Sequence, residues 1–242
     1  MIKALLVSVN YSDYLEVALP YNTKQFDEII VLTIKSDKEC QDLCSKYSNV
    51  KCLVFPDEIL NKNGKTFNKG AIINKGFEYL NRIRYSDWLV MTDSDIVFPE
   101  NFKELMHSKE KDTKVLYGMN RKFCFSLHRF NTYLNTKNKN LCTAFEWDSA
   151  FMGYCQIFIC NAKKLEYSED HNAENSDILF LTNFSKEFEQ FLSNRNENTF
   201  LDDTSDEINS TNNFKLLSED DFVIHLGRPI ENWKGRTTNL FK

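Results

Sequence analysis

The chain has 242 residues, with 30 Lys and Arg against 35 Asp and Glu and a formal net charge of −5 at pH 7. Because the two signs are mixed along the whole length, we do not expect a protein that binds nucleic acid by neutralising phosphates. Hydrophobic residues make up 42% of the chain and aromatic residues 14%, which predicts a folded globule with a substantial core rather than a disordered chain.

Cysteine usage and hydropathy predict the compartment. The seven cysteines are an odd number without paired C-x-x-C spacing, so neither a disulfide framework nor a zinc ribbon is indicated, and a reducing environment is favoured. The first ten residues, MIKALLVSVN, are too short and too β-branched for a signal peptide, and no apolar run approaches the roughly 20 residues of a membrane span. We therefore expect a cytoplasmic protein without a transmembrane segment.

The first hundred residues alternate between apolar strands and helices. Apolar segments predict strands at 4–9, 28–34, 50–55 and 87–92. Helices are predicted at 14–19, opened by Ser12 or Asp13 and disturbed by Pro20; from Ser36 or Asp37 to Tyr47; and at 69–83. Near-continuous apolar strands separated by helices are typical of a mostly parallel sheet covered on both faces. The predicted fold class is therefore α/β.

The second half of the chain is less regular. Strands are predicted at 115–119, 155–160 and 222–226, and the polar stretch 184–213 predicts a solvated helix followed by a loop. We find no internal repeat and no sharp change of composition, so a single domain over 1–242 is expected.

Two aspartates follow the fourth predicted strand, in the stretch DWLVMTDSDIVFPENF. Parallel sheets bind ligands beyond the carboxyl ends of their strands, so Asp93 and Asp95 lie at a functional position. If the extended geometry continues through Ser94, both carboxylates point to the same side and repel. A divalent cation with a preference for oxygen ligands, Mg²⁺ or Mn²⁺, would remove that repulsion.

The order of strand, FNKGAIINKGF helix, strand and DSD resembles the GT-A-fold glycosyltransferases, especially the β-1,4-galactosyltransferase-like and family-two-like enzymes. The matching residues are Phe67, Asn68, Lys69, Asn74, Gly76, Phe77, Asp93, Ser94 and Asp95. The resemblance spans roughly 1–105 and resumes at VIHLGRPIENWKGR. It implies a nucleotide-sugar-binding half at 1–119, and an acceptor-binding half at 120–242 that ends in a segment binding metal and diphosphate.

The resemblance also implies a metal site and a donor. Asp95 would coordinate Mn²⁺ or Mg²⁺ directly, Asp93 would contact the ribose or a metal-bound water, and His225 would be a third ligand. The alternative for His225 is a hydrogen-bonded histidine in a buried strand. The implied donor is a hexose linked to a nucleotide diphosphate, with UDP as the predicted nucleotide.

Further residues would hold this UDP-sugar. Asn10, Tyr11 and Asp37 fall where the base and ribose of a uridine nucleotide usually sit in these enzymes. Lys69 would face the nucleotide, and Lys234 or Arg236 would close on the diphosphate. A metal with such cations stabilises the charge that develops on the leaving diphosphate. The predicted acceptor is a hydroxyl of a glycan or glycoconjugate.

An inverting enzyme also needs a carboxylate to take the proton of the acceptor. The segment AENSDILF is the counterpart of the motif that carries this base in the related galactosyltransferases, so Asp177 is the predicted base. Asp148 and Glu174 are weaker candidates, and capping of the following helix is the alternative role for Asp177. A retaining enzyme would not need such a base.

Three rival functions share parts of this pattern. DSDIV also fits the nucleophile motif of haloacid-dehalogenase-like phosphatases, although that motif normally lies on the first strand of its core and here follows the fourth. A sugar-1-phosphate nucleotidyltransferase should open with a Gly-rich loop, which SVNYSDYL lacks. A nucleotide-sugar-binding protein without turnover is the non-enzymatic alternative.

Overall fold

In a computed structural model of the chain, residues 1–64, 67–145, 150–160, 165–169, 173–194, 207–208 and 210–227 are described. The strands are β1 (Ile2–Val7), β2 (Glu28–Ile34), β3 (Val50–Phe55), β4 (Trp88–Asp93), β5 (Ile96–Val97), β6 (Leu116–Gly118), β7 (Asn120–Cys124), β8 (Cys155–Ile159), β9 (Phe214–Leu216) and β10 (Phe222–Leu226). The helices are α1 (Ser12–Asn22), α2 (Lys38–Cys44), α3 (Lys69–Arg82), α4 (Phe102–His107), α5 (Leu127–Thr136), α6 (Ala173–Phe180) and α7 (Lys186–Ser193). Shorter helical turns lie at Asp57–Gly64, Lys139–Leu141 and Leu181–Asn183.

The central sheet has seven strands in the order β3-β2-β1-β4-β8-β6-β9. Strands β3, β2, β1 and β4 are parallel, and β8 runs antiparallel to both β4 and β6. Strands β1, β2 and β4 are buried along almost their entire length, because helices cover both faces and apolar side chains must point to each. The predicted α/β class, with a mostly parallel central sheet flanked by helices, is confirmed.

A second sheet of three strands, in the order β5-β10-β7, brings the late part of the chain to the end of β4. His225 of β10 pairs with Ile96 of β5 on one side and with Phe123 of β7 on the other. Because β5 begins directly after Asp95, this pairing places β10 beside the two aspartates. Both sheets therefore combine strands from the two halves of the chain.

Two hydrophobic clusters fill the space on the two faces of the central sheet. One includes Leu5, Leu32, Phe77 and Phe180, and packs α3 and α6 against the strands. The other includes Leu6, Val31 and Trp88, together with apolar residues of α1, α2 and α4. The alternation of side chains along β1, with Leu5 facing one cluster and Leu6 the other, follows from the period of two of a strand.

Side-chain caps define where several helices begin. Asp37 accepts a hydrogen bond from the Cys40 N–H at 3.1 Å and begins α2, as its position in the sequence predicts. The prediction for α1 was wrong at both ends. Its N-cap is Tyr11, without a side-chain hydrogen bond, and the helix continues past Pro20 to Asn22. Pro20 lies in the last turn of α1.

The prediction also missed elements in the middle of the chain. Strand β7 and helix α5 form one continuous stretch from Asn120 to Thr136 that we did not assign, because NRKFC has no long apolar run and α5 buries only Phe130. The predicted helix after residue 184 is present as α7, whereas the loop expected after it lies largely outside the described residues.

Within the described part of the chain no helix is long and apolar enough to cross a membrane. All seven cysteines carry free thiols.

Asn68 provides a test of this architecture, because its buried side chain links three segments. Its Oδ1 accepts the Ala71 N–H at 2.9 Å, and its Nδ2 donates to the carbonyls of Lys62 and Glu169, each at 3.0 Å. Asn68→Ala removes a cap worth about 1 kcal/mol and two further hydrogen bonds. We expect a total loss of about 2–3 kcal/mol, which thermal unfolding would register as a fall in Tm of about 5–10 °C.

The matched control is Ser185→Ala. Ser185 caps α7 through one hydrogen bond from the Phe188 N–H at 3.2 Å, so this variant should lose only about 1 kcal/mol. Equal melting temperatures of the two variants would contradict the linking role of Asn68.

Candidate active site

The candidate site lies at the carboxyl end of β4. In the parallel pairing of β1 with β4, Val7 lies opposite Asp93, so the loop after β1 and the DSD segment leave the same edge of the sheet. The chain turns at Ser94 and Asp95, so the extended geometry on which the same-side prediction depended does not continue. As a result, the two carboxylates have different partners.

Asp93 shares a buried lysine with Asp177. The Lys69 Nζ lies 3.0 Å from Asp93 Oδ1 and 3.2 Å from Asp177 Oδ1. The side chains of Lys69 and Asp177 are 12% and 13% exposed, whereas that of Asp93 is 37% exposed. Helix α3, strand β4 and helix α6 thus converge on one ammonium group, across 108 residues of sequence between Lys69 and Asp177.

The position of Asp177 depends on the loop that precedes β8. A Cβ added at Gly153 would lie 2.0 Å from the Asp177 Cγ, so the carboxylate occupies the space that any other side chain at 153 would fill. The buried Gln156 amide donates to the carbonyls of Phe151 at 3.1 Å and Asp177 at 3.2 Å. Gln156 therefore holds the loop and α6 together directly behind the carboxylate.

Burial and charge shift the pKa values of this group. Burial, reinforced by the charge of Asp93, raises the pKa of Asp177 to about 6, although the Lys69 cation acts in the opposite direction. Burial by itself lowers the pKa of Lys69, but the charges of Asp177 and Asp93 and the hydrogen bonds to them raise it above its ordinary value. Lys69 is therefore a permanent cation, and Asp177 is a carboxyl group that titrates near neutrality.

Asp95 is paired with His225 instead. The Asp95 Oδ2 lies 3.1 Å from the His225 Nε2, with side-chain exposures of 7% and 13%. The second oxygen of Asp95, Oδ1, is buried and has no hydrogen-bond partner among the described residues. A buried carboxylate oxygen without a partner is costly, which indicates a ligand at this point.

Arg121 lies on the far side of the His225 ring. Its guanidinium is 3.3 Å from the His225 Nδ1, 4.0 Å from the centre of the Tyr154 ring and 4.6 Å from that of Phe123. Sequence reasoning did not single out Arg121, because a lone arginine in an irregular stretch carries no motif. Gly153 and Gln156 were also missed, because neither belongs to a recognisable motif.

The residues around Asp95 fit a divalent cation. Within the described part of the chain, no group of three or more His, Cys, Asp or Glu side chains forms a complete metal cluster. The two adjacent donors, a carboxylate with an unpartnered oxygen and an imidazole, suit Mn²⁺, for which oxygen atoms of a bound phosphate are suitable further ligands.

The predicted nucleotide residues lie at the ends of β1 and β2. Asn10 has a φ of 59°, a left-handed conformation that asparagine tolerates, and its N–H donates to Asp37 Oδ2 at 2.7 Å. Asp37 is buried and also caps α2, so it holds the two loops together. Tyr11 is half-buried, with its ring 5.8 Å from that of Tyr14. Their contact with a nucleotide stays a prediction.

Several predicted residues lie outside the described part of the chain. These are Asp148, Lys234 and Arg236, together with the side chain of Glu174. Their roles stay predictions.

Comparison with known proteins gives a likeness of structure only. No protein-family model matches the sequence, and no curated protein matches it. Among solved structures, a mannosyltransferase from Pyrobaculum calidifontis in complex with GDP-Man and Mn²⁺ is similar at 11% identity and a TM-score of 0.49. The match covers 96% of this chain and 58% of that one.

Two further structures match over nearly the whole chain. The galactosyltransferase LgtC, in complex with donor and acceptor sugar analogs, is 12% identical with a TM-score of 0.46, over 94% of this chain and 88% of that one. A 4-diphosphocytidyl-2C-methyl-D-erythritol synthase from Anaerococcus prevotii is 11% identical with a TM-score of 0.41, over 99% and 91% of the two chains.

Two of these three structures are glycosyltransferases, the class that the sequence resembles, and all three have TM-scores below 0.5. At these identities the likeness concerns the fold alone, so the activity of this protein must be inferred from the side chains at the site.

Replacing Lys69 by Met tests the electrostatics of the site. The pKa of Asp177 is raised, so the folded protein binds this proton more tightly than the unfolded chain, and stability is lost as the pH rises through about 6. Removing the cation raises the pKa further, so Lys69→Met should lose more stability over the same rise. With EDTA present, we expect a deficit of about 3–5 kcal/mol at pH 8 and a smaller one at pH 5.

Melting temperatures of both proteins at the two pH values provide the measurement. Lys75→Met is the control, because Lys75 is exposed and pairs with Glu78 of its own helix. A Lys69→Met deficit that is the same at pH 5 and pH 8 would show that Asp177 does not titrate against this cation.

Proposed function

We propose that this protein is a metal-dependent glycosyltransferase that transfers a hexose from a nucleotide-diphosphate sugar, with UDP-sugar as the first donor to test, to a hydroxyl of a glycan or glycoconjugate. A cytoplasmic location is part of the proposal. The active chain in this proposal is one domain over residues 1–242, with the donor at 1–119 and the acceptor at 120–242.

One observation carries this proposal. Asp177 and His225, which the family resemblance implied from two different segments, each contact a residue of the segment that joins Lys69 to the DSD motif. Asp177 reaches Lys69, and His225 reaches Asp95 across 130 residues of sequence. A base beside one aspartate and a metal ligand beside the other is the division of roles that an inverting, metal-dependent sugar transfer requires.

In this proposal Asp95 and His225 hold Mn²⁺ or Mg²⁺. The metal, when bound, stabilises the negative charge that develops on the diphosphate leaving group. Lys69 offsets the negative charge of Asp93 at the same edge of the sheet, so it reduces the repulsion of an anionic donor. Asn10, Tyr11 and Asp37 contribute the nucleotide side of the site, and Lys234 and Arg236 the diphosphate side.

Asp177 is the proposed general base. A carboxyl group with a pKa of about 6 is ionised at neutral pH, yet it is more basic than an ordinary aspartate. The contact with Gly153 and the hydrogen bond from Lys69 hold the carboxylate in one place, and the hydrogen bond also favours its ionised form. Asp177 would accept the proton of the acceptor hydroxyl as that oxygen attacks the sugar.

The phosphatase alternative has no specific support in the structure, because DSD follows β4 rather than the first strand of the sheet. A binding protein without turnover is distinguished by assay rather than by geometry.

A melting-temperature panel tests the donor and the metal. UDP, GDP and CDP are each added with Mn²⁺, and each mixture is repeated with EDTA. At a ligand concentration near 100 times Kd, linkage predicts about 2.7 kcal/mol of stabilisation, which is a rise in Tm of about 5–10 °C for a chain of this size. We expect the rise with UDP, and its loss with EDTA.

Asp95→Asn should lose the EDTA-sensitive part of this rise, whereas Asp42→Asn, at an exposed position on α2, should keep it. A rise with GDP alone would support the class of reaction and replace UDP as the donor nucleotide. No rise with any of the three nucleotides would contradict the glycosyltransferase proposal and direct the next assay to phosphatase activity.

Asp177→Asn tests the base. The amide cannot accept the proton, so we expect kcat to fall by about 10²–10⁴-fold, while the KM for the donor stays nearly constant. In the wild-type protein kcat/KM should fall as the pH drops below about 6, because Asp177 becomes protonated, and this acid limb should be absent in the variant. The Tm rise with nucleotide and Mn²⁺ serves as the control for folding and donor binding.

An unchanged kcat in Asp177→Asn would rule out this assignment. The candidates would then be Asp148 and Glu174, or a retaining mechanism without a base.

A further inference from the structure

Arg121 has a fixed position beside the proposed metal ligand His225. In the pairing of β7 with β10, Phe123 lies opposite His225, and Arg121 precedes Phe123 by two residues, on the same face of β7. The guanidinium stacks on the ring of Tyr154, whose hydroxyl donates to the Met119 carbonyl at 2.8 Å. The stacking directs the guanidinium at the His225 Nδ1, 3.3 Å away.

This contact determines which nitrogen of His225 carries the proton. A guanidinium group has N–H donors and no acceptor, so the His225 Nδ1 must accept the hydrogen bond. A neutral imidazole with an acceptor at Nδ1 carries its proton on Nε2. The Nε2–H then donates to Asp95 Oδ2 at 3.1 Å, in agreement with the second contact of the ring.

That tautomer does not bind a metal through Nε2. Ligation at Nε2 needs the lone pair of this nitrogen, so the proton must move to Nδ1. A ligating histidine normally donates its other N–H to a carboxylate, a carbonyl or a water. In this structure the group facing Nδ1 is itself a donor, so Arg121 and a metal ion on Nε2 require opposite tautomers of His225.

A bound diphosphate is the group that would release His225. Guanidinium groups bind phosphate oxygens through paired N–H donors, a stronger interaction than a single hydrogen bond to an imidazole. Arg121 is half-buried and lines a surface cleft that also includes Lys122, Lys139, Glu219, Asp220 and Asp221, so a ligand from solvent can reach the guanidinium. A shift of the guanidinium to the anion leaves Nδ1 free to carry a proton.

We infer that Arg121 couples the two ligands of the site: it keeps His225 in the tautomer that cannot ligate a metal, and releases it when a nucleotide diphosphate binds. The inference rests on the proposed function, because the metal and the diphosphate are those of the proposed reaction. It makes Arg121 a positioning residue that favours joint binding of metal and donor over binding of the metal alone.

Mn²⁺ binding, followed by the electron paramagnetic resonance signal of the free ion, tests this coupling in the full chain. The titrations are made on the wild-type protein, Arg121→Met and Lys75→Met, each without nucleotide, with UDP and with GDP. Arg121→Met should bind Mn²⁺ without nucleotide about tenfold more tightly than the wild type, and its affinity should depend less on the nucleotide. Lys75→Met removes one positive charge from an exposed position of α3 and should behave as the wild type.

A second readout needs no variant. Long-range ¹H–¹⁵N spectra of the metal-free wild-type protein, with labelled histidine, report which nitrogen of His225 is protonated. We expect the proton on Nε2, and its transfer away from this nitrogen when diamagnetic Mg²⁺ and nucleotide are both present. A proton on Nδ1 in the metal-free protein would overturn the inference.

The two proposals fail in different ways. In one outcome, Mn²⁺ binds the wild-type protein in the presence of nucleotide, but without nucleotide it binds Arg121→Met no more tightly than the wild type. This outcome overturns the coupling and leaves the proposed function intact. Mn²⁺ that binds none of the three proteins under any condition overturns the metal site, and with it both proposals.

Discussion

A buried ammonium group between two carboxylates is the interaction on which this site depends. Lys69 can remain charged in a nearly closed environment only because Asp93 and Asp177 face it, and the two carboxylates can approach each other only because the cation lies between them. Each partner comes from a different element, so the pairing also fixes α6 against α3 and β4. The same constraint explains Gly153, since the carboxylate fills the volume that a side chain would take. Packing and charge therefore specify one position for Asp177.

The two aspartates of DSD do not share a partner, and the negative charge of each is compensated in a different way. Asp93 is neutralised within the protein by a lysine, and Asp95 is held by a histidine that leaves one oxygen unpartnered. Because the chain turns between them, each carboxylate reaches its own partner. Of the two, Asp95 is the one whose surroundings call for a further ligand. The sequence resemblance implies that Asp95 coordinates the metal directly and that Asp93 contacts the ribose or a metal-bound water, and these roles stay predictions.

The parts of the fold that were predictable are those governed by local pattern. Strands β2, β3 and β10 have the predicted bounds, because long runs of β-branched and aromatic residues are unambiguous, and Asp37 and Asn68 mark the starts of α2 and α3 by capping. Among the site residues, Lys69, Asp93, Asp95, Asp177 and His225 were selected from motifs and from resemblance. Arg121, Gly153 and Gln156 were not, because their importance comes from contacts with residues distant in the chain, such as the Tyr154 ring and the Asp177 carboxylate. The antiparallel course of β8 was equally unreadable, since a buried strand has the same apolar pattern in either direction.

The late position of β10 in the sequence affects the order in which the site can form during synthesis. It adds to the short β5 strand directly after the DSD segment, although 130 residues separate Asp95 from His225. On a ribosome that elongates at roughly 5–20 residues per second, Asp95 would emerge roughly 6–26 s before the residue that completes its surroundings. During that interval the amino-terminal strands β1 to β4 can already form their parallel pairs, whereas the edge that β10 later covers is open. A late segment thus completes a site on a sheet that can form before it, and a chain released before β10 would keep the parallel strands β1 to β4 without the site.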